Sequence, residues 1–276
     1  MKKVYLEITN ICNLSCSFCH KTDREKRFLT AEEYALLTDR LLGKTEYLYF
    51  HLMGEPLLHP QLPDFIRTAK EKGFKPCLTT NGTLLKDRGS AIADSGLYRI
   101  SISLHAPEAN GAFATPEYLQ SCVDFAKKAS SSGSFVALRL WNEGGREAGN
   151  PEILQTLRES FPGEWVPTRS GWRMADRIFL EKGEIFDWPD FSAPVYEGEI
   201  FCYGLRDQIG VLSDGSVVPC CLDADGAVVL GNLFRQTMEE ILSTSRAKAI
   251  YDGFTRHEAS EELCRHCGYA AMKKRH

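Results

Sequence analysis

The chain has no apolar run long enough to span a bilayer, and no basic start followed by an apolar signal segment. Neither a membrane protein nor an exported one is expected, and the reading is cytoplasmic. Strong charge of either sign is missing as well, since the formal net charge is −4 over 276 residues. That balance gives no reason to expect nucleic acid as a partner, and the basic end Lys273-Lys274-Arg275-His276 is too short to change it and reads as a solvated end. Repeats and low-complexity segments are absent. Apolar content of 43% and charged content of 25% are ordinary for a globular protein, and the length suits one large domain and one small one. Cysteine is plentiful. Ten cysteines without an export signal point to metal in a reducing compartment rather than to disulfides.

Cys12, Cys16 and Cys19 form C-x3-C-x2-C directly after the strand-like run Val4–Thr9. Three thiolates packed this closely make a loop built to hold metal. A closed zinc site takes four ligands, commonly as two C-x2-C pairs, and a cubane cluster in an ordinary electron carrier also takes four thiolates. A [4Fe-4S] cluster on three cysteines keeps one iron open, and an open iron points to catalysis. Zinc held by the three cysteines and His20 is the alternative reading of the loop. Three more segments end strand patterns. His51-Leu52-Met53-Gly54-Glu55-Pro56 follows Tyr47–Phe50, and Gly54 permits close backbone approach to a ligand. Lys75–Thr80 runs into the turn Asn81-Gly82. Tyr98–Leu104 alternates with period two, which puts Ser101 and Ser103 on one face.

With these residues the chain resembles the radical SAM enzymes, whose signature is this cysteine spacing with an aromatic, here Phe18, before the third cysteine. The resemblance implies that the open iron chelates the amino and carboxylate groups of S-adenosylmethionine (SAM). One electron then yields a 5′-deoxyadenosyl radical that takes hydrogen from substrate, and a flavodoxin- or ferredoxin-type protein is the implied reductant. Gly54, Glu55 and Pro56 are similar to the family's Gly-Gly-Glu-Pro element, in which backbone and Glu55 hold the SAM amino group. Met53 replaces the first glycine. By the same resemblance Thr80 and Asn81 meet the ribose, and Ser101 and Ser103 lie near SAM.

Strand patterns at 47–50, 75–79, 98–104 and 135–140 alternate with helical patterns at 30–42, 63–72, 84–95, 116–129 and 151–161. Repeated βα units predict a parallel sheet with ligands at the carboxyl ends of its strands, where every motif above falls. Residues 163–199 read as a sixth strand near Arg177–Leu180 and a connector. The expected fold is α/β: a partial (β/α)6 barrel over 1–197, then a small α+β cluster-binding module over 198–276. In that module Ser213-Asp214-Gly215 signals a hairpin, and a helix is expected over about Thr237–Tyr251.

Cys202, Cys220, Cys264 and Cys267 follow as C-x17-C-x43-C-x2-C, enough to coordinate a second [4Fe-4S] cluster or, alternatively, a structural zinc ion. Cys220 is preferred over its neighbour Cys221, since adjacent strand residues face opposite ways. The layout resembles the Twitch and SPASM modules that follow many radical SAM barrels. Its spacing is close to that of a radical SAM aminocyclitol dehydrogenase with one auxiliary cluster.

An auxiliary cluster without an open iron suits electron transfer. The leading expectation is oxidation of a small hydroxylated substrate, with the second cluster taking an electron. Arg139 is the candidate polar group on the fifth strand, for the SAM carboxylate or the substrate, with a structural ion pair as the alternative. Arg169, Arg173, His105 and Asp223 are weaker candidates. The runner-up is a peptide-modifying maturase or epimerase. The chain begins directly with the first strand, so a leader-peptide binder would come from a partner. Hydrogen return in that reading falls to Cys77, expected at the end of the third strand, or Cys221, while Cys122 reads as core. A non-catalytic iron–sulfur or zinc carrier is the alternative of another class.

Overall fold

The computed structural model describes residues Met1–Met272, and the basic end at 273–276 lies outside the described residues. The chain opens with β1 (Lys3–Leu6), α1 (Ala31–Leu41), β2 (Tyr47–Tyr49), α2 (Leu62–Glu71), β3 (Lys75–Thr80), α3 (Leu85–Ala93) and β4 (Arg99–Ser103). It continues through α4 (Ala106–Ala109), α5 (Pro116–Ser131), β5 (Phe135–Glu143), α6 (Asn150–Ser160), β6 (Val166–Thr168), β7 (Gly171–Ala175) and β8 (Ile178–Glu184). Then come β9 (Gln208–Val211), β10 (Ser216–Val218), β11 (Gly231–Asn232), α7 (Met238–Ser243), α8 (Ser245–Thr255), α9 (Glu262–Arg265) and α10 (Gly268–Met272).

These elements form two compact units. Among the described residues the first comprises Met1–Ile11, His20–Gly54 and 186–272; the second comprises Cys12–Cys19 and Glu55–Ile185. In the first unit β1 pairs in parallel with β2 and β9, with Tyr5 opposite Tyr49 and Leu6 opposite Val211. The β9–β10 hairpin and β11 extend it antiparallel. Its helix α1 begins at a capping box: Thr30 Oγ1 accepts from Glu33 N at 3.1 Å, and Glu33 Oε2 accepts from Thr30 N at 2.9 Å. Glu7 is fully buried on β1, bonded to Arg24 Nη2 at 2.6 Å and to Ser213 Oγ at 2.9 Å. Removing one partner of a buried ion pair strands the other charge. Glu7→Ala is therefore expected to cost about 3–5 kcal/mol in anaerobic urea unfolding.

In the second unit β3, β4, β5 and β8 run parallel in that order, and β7 and β6 add antiparallel strands. Alternation sorts the two faces. Leu78, Ile100, Ile102, Val136, Leu138, Leu140 and Leu180 are buried on one face. The register places Thr79, Ser101, Ser103, Arg139 and Glu181 on the other.

Two expectations need correction. Residues 163–199 hold more than a sixth strand and connector, because β6 and β7 form a hairpin on β8. Gly171 makes this possible: at φ +147° an added Cβ would lie 2.2 Å from Leu180 O. The helix expected over Thr237–Tyr251 is two helices. Thr244, extended at ψ 151°, ends α7, and its side chain accepts from Ala247 N to start α8.

Candidate active site

The cysteine loop follows β1 and is held within the second unit by two asparagines. Asn110, which caps α4, accepts from Ser15 N at 2.7 Å through Oδ1 and donates through Nδ2 to Cys16 Sγ at 3.0 Å and to Ala106 O at 2.9 Å. Ser17 N donates to Ala109 O at 2.9 Å, so α4 is the bed on which the loop lies. Asn81 Nδ2 donates to Asn13 Oδ1 at 2.9 Å and lies 4.0 Å from Cys12 Sγ, which also accepts from Leu14 N at 3.4 Å. Cys19 N closes a turn on Cys16 O at 3.2 Å. Burial pushes the Cys12 and Cys16 thiols up, and these N–H donors oppose it. Amide donors aimed at sulfur suit a thiolate, the form that binds metal.

Glu55 is 2% exposed and gathers the strand ends. Its Oε1 accepts from Leu57 N at 2.9 Å and Thr80 Oγ1 at 2.8 Å, and its Oε2 accepts from Asn81 N at 2.7 Å. Burial pushes its carboxyl pKa up against those three bonds. It also caps the short 3-10 turn that Pro56 opens. With about four acceptor positions on a carboxylate, one on Oε2 stays for a further donor. Gly54 has φ +78°, whereas Met53 is not among the residues with positive φ. The glycine missing before Gly54 is thus not required by backbone conformation.

Ser101 is buried, and Ser103 lies beside Arg139 in the β4–β5 register. Tyr118 on α5, unremarked in the sequence, donates to Asn81 O at 2.8 Å and so braces the Thr80–Gly82 turn. Phe18 sits 4.9 Å from the His105 ring. With Asn142, Gly145, Arg146 and Ile185 these rings line an empty space of about 520 Å³. His105 is buried, which lowers its pKa, and its Nδ1 lies 3.2 Å from Arg139 O.

Arg139 carries its guanidinium over the Trp141 ring at 4.2 Å, and its Nε lies 3.3 Å from Glu181 Oε2. Arg99 contacts the other oxygen of Glu181. The ion pair weighed for Arg139 is therefore present, and it sits on the strand face that carries Ser101 and Ser103. Arg173 lies opposite Phe179 on β7 and is exposed, and Arg169 is exposed in the β6–β7 turn. Cys77 needs correction: it is the third residue of a strand that runs to Thr80, not its end. Cys122 is core, as expected, with burial pushing its pKa to about 12.

A second site lies in the first unit. Cys202, Cys220, Cys264 and Cys267 line one space of about 430 Å³ together with Ile200, Val228, Phe254 and Leu263. Cys221 is not among its lining residues. Burial pushes the Cys221 thiol to about 12, and Tyr5 hydrogen-bonds to it. Asp223 also lines the space, but its carboxylate oxygens accept from Ala227 N and Val228 N, each at 2.8 Å. Four sulfur donors around a dry, mostly apolar space fit an iron–sulfur cluster. Among the described residues no three His, Cys, Asp or Glu side chains group closely enough for a single metal ion. His20 pairs with Asp225 at 2.5 Å.

Residues 6–139 match the radical SAM superfamily, and residues 202–268 match SPASM, an iron–sulfur cluster-binding domain. The chain carries a radical SAM domain followed by a SPASM iron–sulfur domain. Members of this superfamily are enzymes that use SAM and a [4Fe-4S] cluster, and SPASM domains bind further iron–sulfur clusters. GTP 3′,8-cyclase of Aquifex aeolicus is 36% identical over 122 residues, which are 40% of this radical SAM chain and 38% of the cyclase. Matches of this kind span only 26% to 38% of the relatives' own lengths. The crystal structure of BtrN with AdoMet and 2-DOIA aligns at TM-score 0.65 and 18% identity, over 97% of this chain and 92% of that one. SuiB of Streptococcus suis, bound to precursor peptide SuiA, aligns at TM-score 0.64 and 14% identity, over 99% and 72%. These likenesses establish the fold: mixed α/β with a parallel-dominated sheet, a partial radical SAM barrel with the SPASM domain on its C-terminal side.

Among the described residues no helix is long and apolar enough to cross a membrane. Asn110, Tyr118 and Glu181 escaped the sequence reading. Asn110-Gly111 carries the one local signal, a turn dipeptide.

Proposed function

We propose that this protein is a cytoplasmic radical SAM oxidoreductase that oxidises a small hydroxylated substrate, drawing electrons from a flavodoxin- or ferredoxin-type protein. Cys12, Cys16 and Cys19 hold the first cluster, and Cys202, Cys220, Cys264 and Cys267 hold a single auxiliary one. When bound, SAM with the first cluster supplies a carbon-centred radical that removes hydrogen, and the auxiliary cluster supplies a one-electron acceptor. The carrying observation is the space lined by four cysteines, which as ligands would saturate one cluster and leave no iron to bind substrate.

The chain's own groups divide the remaining work. The last acceptor position of Glu55 Oε2 and the backbone at Gly54 receive the SAM amino group, with Pro56 fixing that turn. Thr80 and Asn81 set the turn at the ribose, and Ser101 and Ser103 line the nearby strand face. The aromatic-walled space beside Phe18 suits a purine, with Asn142 and Arg146 as its polar side. Arg139 orients the substrate. A guanidinium does not give up its proton at neutral pH, so acceptance of the hydroxyl proton falls to Glu181, held by Arg99 and Arg139.

Incubating the reconstituted protein with SAM, dithionite and a panel of polyols and aminocyclitols tests the reading. A product lighter by two hydrogens, in step with 5′-deoxyadenosine, supports it; modification of a peptide panel alone would overturn it. With a turned-over substrate in hand, Glu181→Gln is expected to lower kcat by about 10²-fold with SAM binding and iron unchanged.

One observation favours a second reading, peptide epimerisation. The half-buried Cys221 thiol is absent from the lining of the four-cysteine space, which leaves it as a candidate hydrogen-atom donor. In that case Cys221→Ala, or Cys77→Ala, stops turnover without removing iron, whereas full activity in both variants excludes it. Ligand choice at the auxiliary site has its own check. Cys220→Ala is expected to lose the auxiliary cluster and Cys221→Ala to keep it, counted as iron per chain.

A further inference from the structure

The amide of Asn110 can be oriented in only one way. Ser15 N is a backbone donor, so the atom facing it at 2.7 Å must be the carbonyl oxygen. Nδ2 is thereby turned toward Cys16 Sγ at 3.0 Å and Ala106 O at 2.9 Å, both acceptors. A backbone N–H thus fixes the direction of a side-chain N–H aimed at sulfur. Cys12 and Cys16 differ in this respect: Cys12 Sγ accepts from the backbone amide of Leu14 at 3.4 Å, and its nearest side-chain amide, Asn81 Nδ2, stands 4.0 Å away and bonds Asn13 Oδ1 at 2.9 Å.

We infer that Asn110 tunes the reduction potential of the first cluster by hydrogen-bonding the Cys16 thiolate, beyond holding the loop in place. The inference rests on Cys16 being a ligand of that cluster. Reduction adds negative charge that spreads onto the thiolates. A donor within hydrogen-bond distance stabilises that charge more than it stabilises the oxidised state, and so raises the potential. Asn110 is a positioning and tuning residue that touches neither SAM nor substrate.

Two variants separate tuning from holding. Asn110→Ala removes all three bonds. Asn110→Asp keeps an oxygen for Ser15 N but sets a second oxygen, an acceptor, against Cys16. The measurement is an EPR-monitored redox titration of anaerobically reconstituted protein without SAM, with iron and sulfide counted per chain and the auxiliary cluster as internal reference. Tuning predicts that Asn110→Asp retains full iron while its reduced-to-oxidised ratio at a fixed potential falls about tenfold. For a one-electron couple that equals about 59 mV toward negative. Asn110→Ala shifts the same way, and the auxiliary cluster does not move. A wild-type midpoint in Asn110→Asp overturns the inference, and so does loss of the first cluster from both variants, which would make Asn110 an assembly residue. Failure of the underlying assignment looks different: the wild type itself would then lack the first cluster.

Discussion

Gly54→Ala is expected to destabilise the protein by about 3 kcal/mol or more and to empty the first cluster site. The backbone at Gly54 has φ +78°, where a side chain is strained whatever the surrounding space. The space is closed as well: an added Cβ would lie 2.5 Å from Thr9 O and 2.9 Å from Ile11 O. Both obstacles are backbone carbonyls, which cannot swing aside as a flexible side chain can. Ile11 immediately precedes Cys12, so the displaced segment after β1 carries the cysteine loop with it. Anaerobic thermal unfolding with an iron count checks this. A variant with wild-type Tm and full iron would show that the turn is more tolerant than its geometry implies.

Glu55→Ala should have an effect of similar size by another route. It leaves Leu57 N, Thr80 Oγ1 and Asn81 N, three donors around a carboxylate 2% exposed, without their acceptor. An unsatisfied buried donor costs about 1–3 kcal/mol, and the three are coupled rather than additive. A total near 3 kcal/mol corresponds to a fall in Tm of roughly 5 °C. Asn81 is tied both to Glu55 and to Asn13 beside Cys12, so the loss reaches the cysteine loop through two hydrogen bonds. SAM binding should weaken at least about tenfold, about 1.4 kcal/mol, as measured by titration of the reduced protein. Glu55→Gln keeps one acceptor oxygen and should fall between. If Glu55→Ala binds SAM as tightly as wild type, this carboxylate has no part in the cofactor site.

What the sequence made legible was local. The cysteine triplet, the Thr30 capping box, the Asp214-Gly215 hairpin and the two-residue alternation of β4 each depend on neighbours a few positions apart. The contacts that complete the site do not. Asn110 meets Cys16 across 94 residues, and Arg139 meets Glu181 across 42. Asparagine and glutamate in a loop or strand look the same whether they face solvent or sulfur, so no periodicity marks them. The β6–β7 hairpin was hidden for a local reason: a three-residue strand containing Pro167 reads as loop until β7, itself paired to β8, supplies its partner. Cys77 was misplaced at a strand end although it is the third residue both of the expected strand 75–79 and of β3, which runs to Thr80. Cys220 was preferred over Cys221 on strand alternation, yet both lie beyond the end of β10 at Val218; Cys220 lines the four-cysteine space and Cys221 does not.

The central claim is two clusters on two separate cysteine sets, and iron with EPR tests it most directly. Wild type and a Cys12→Ala, Cys16→Ala, Cys19→Ala variant are reconstituted anaerobically and compared, with and without SAM. The account predicts about eight irons in wild type and about four in the variant, with SAM perturbing only the wild-type spectrum. About four irons in wild type beside a zinc ion that persists in the variant would contradict it. The auxiliary site would then be structural, and oxidation through a second cluster would lose its electron acceptor.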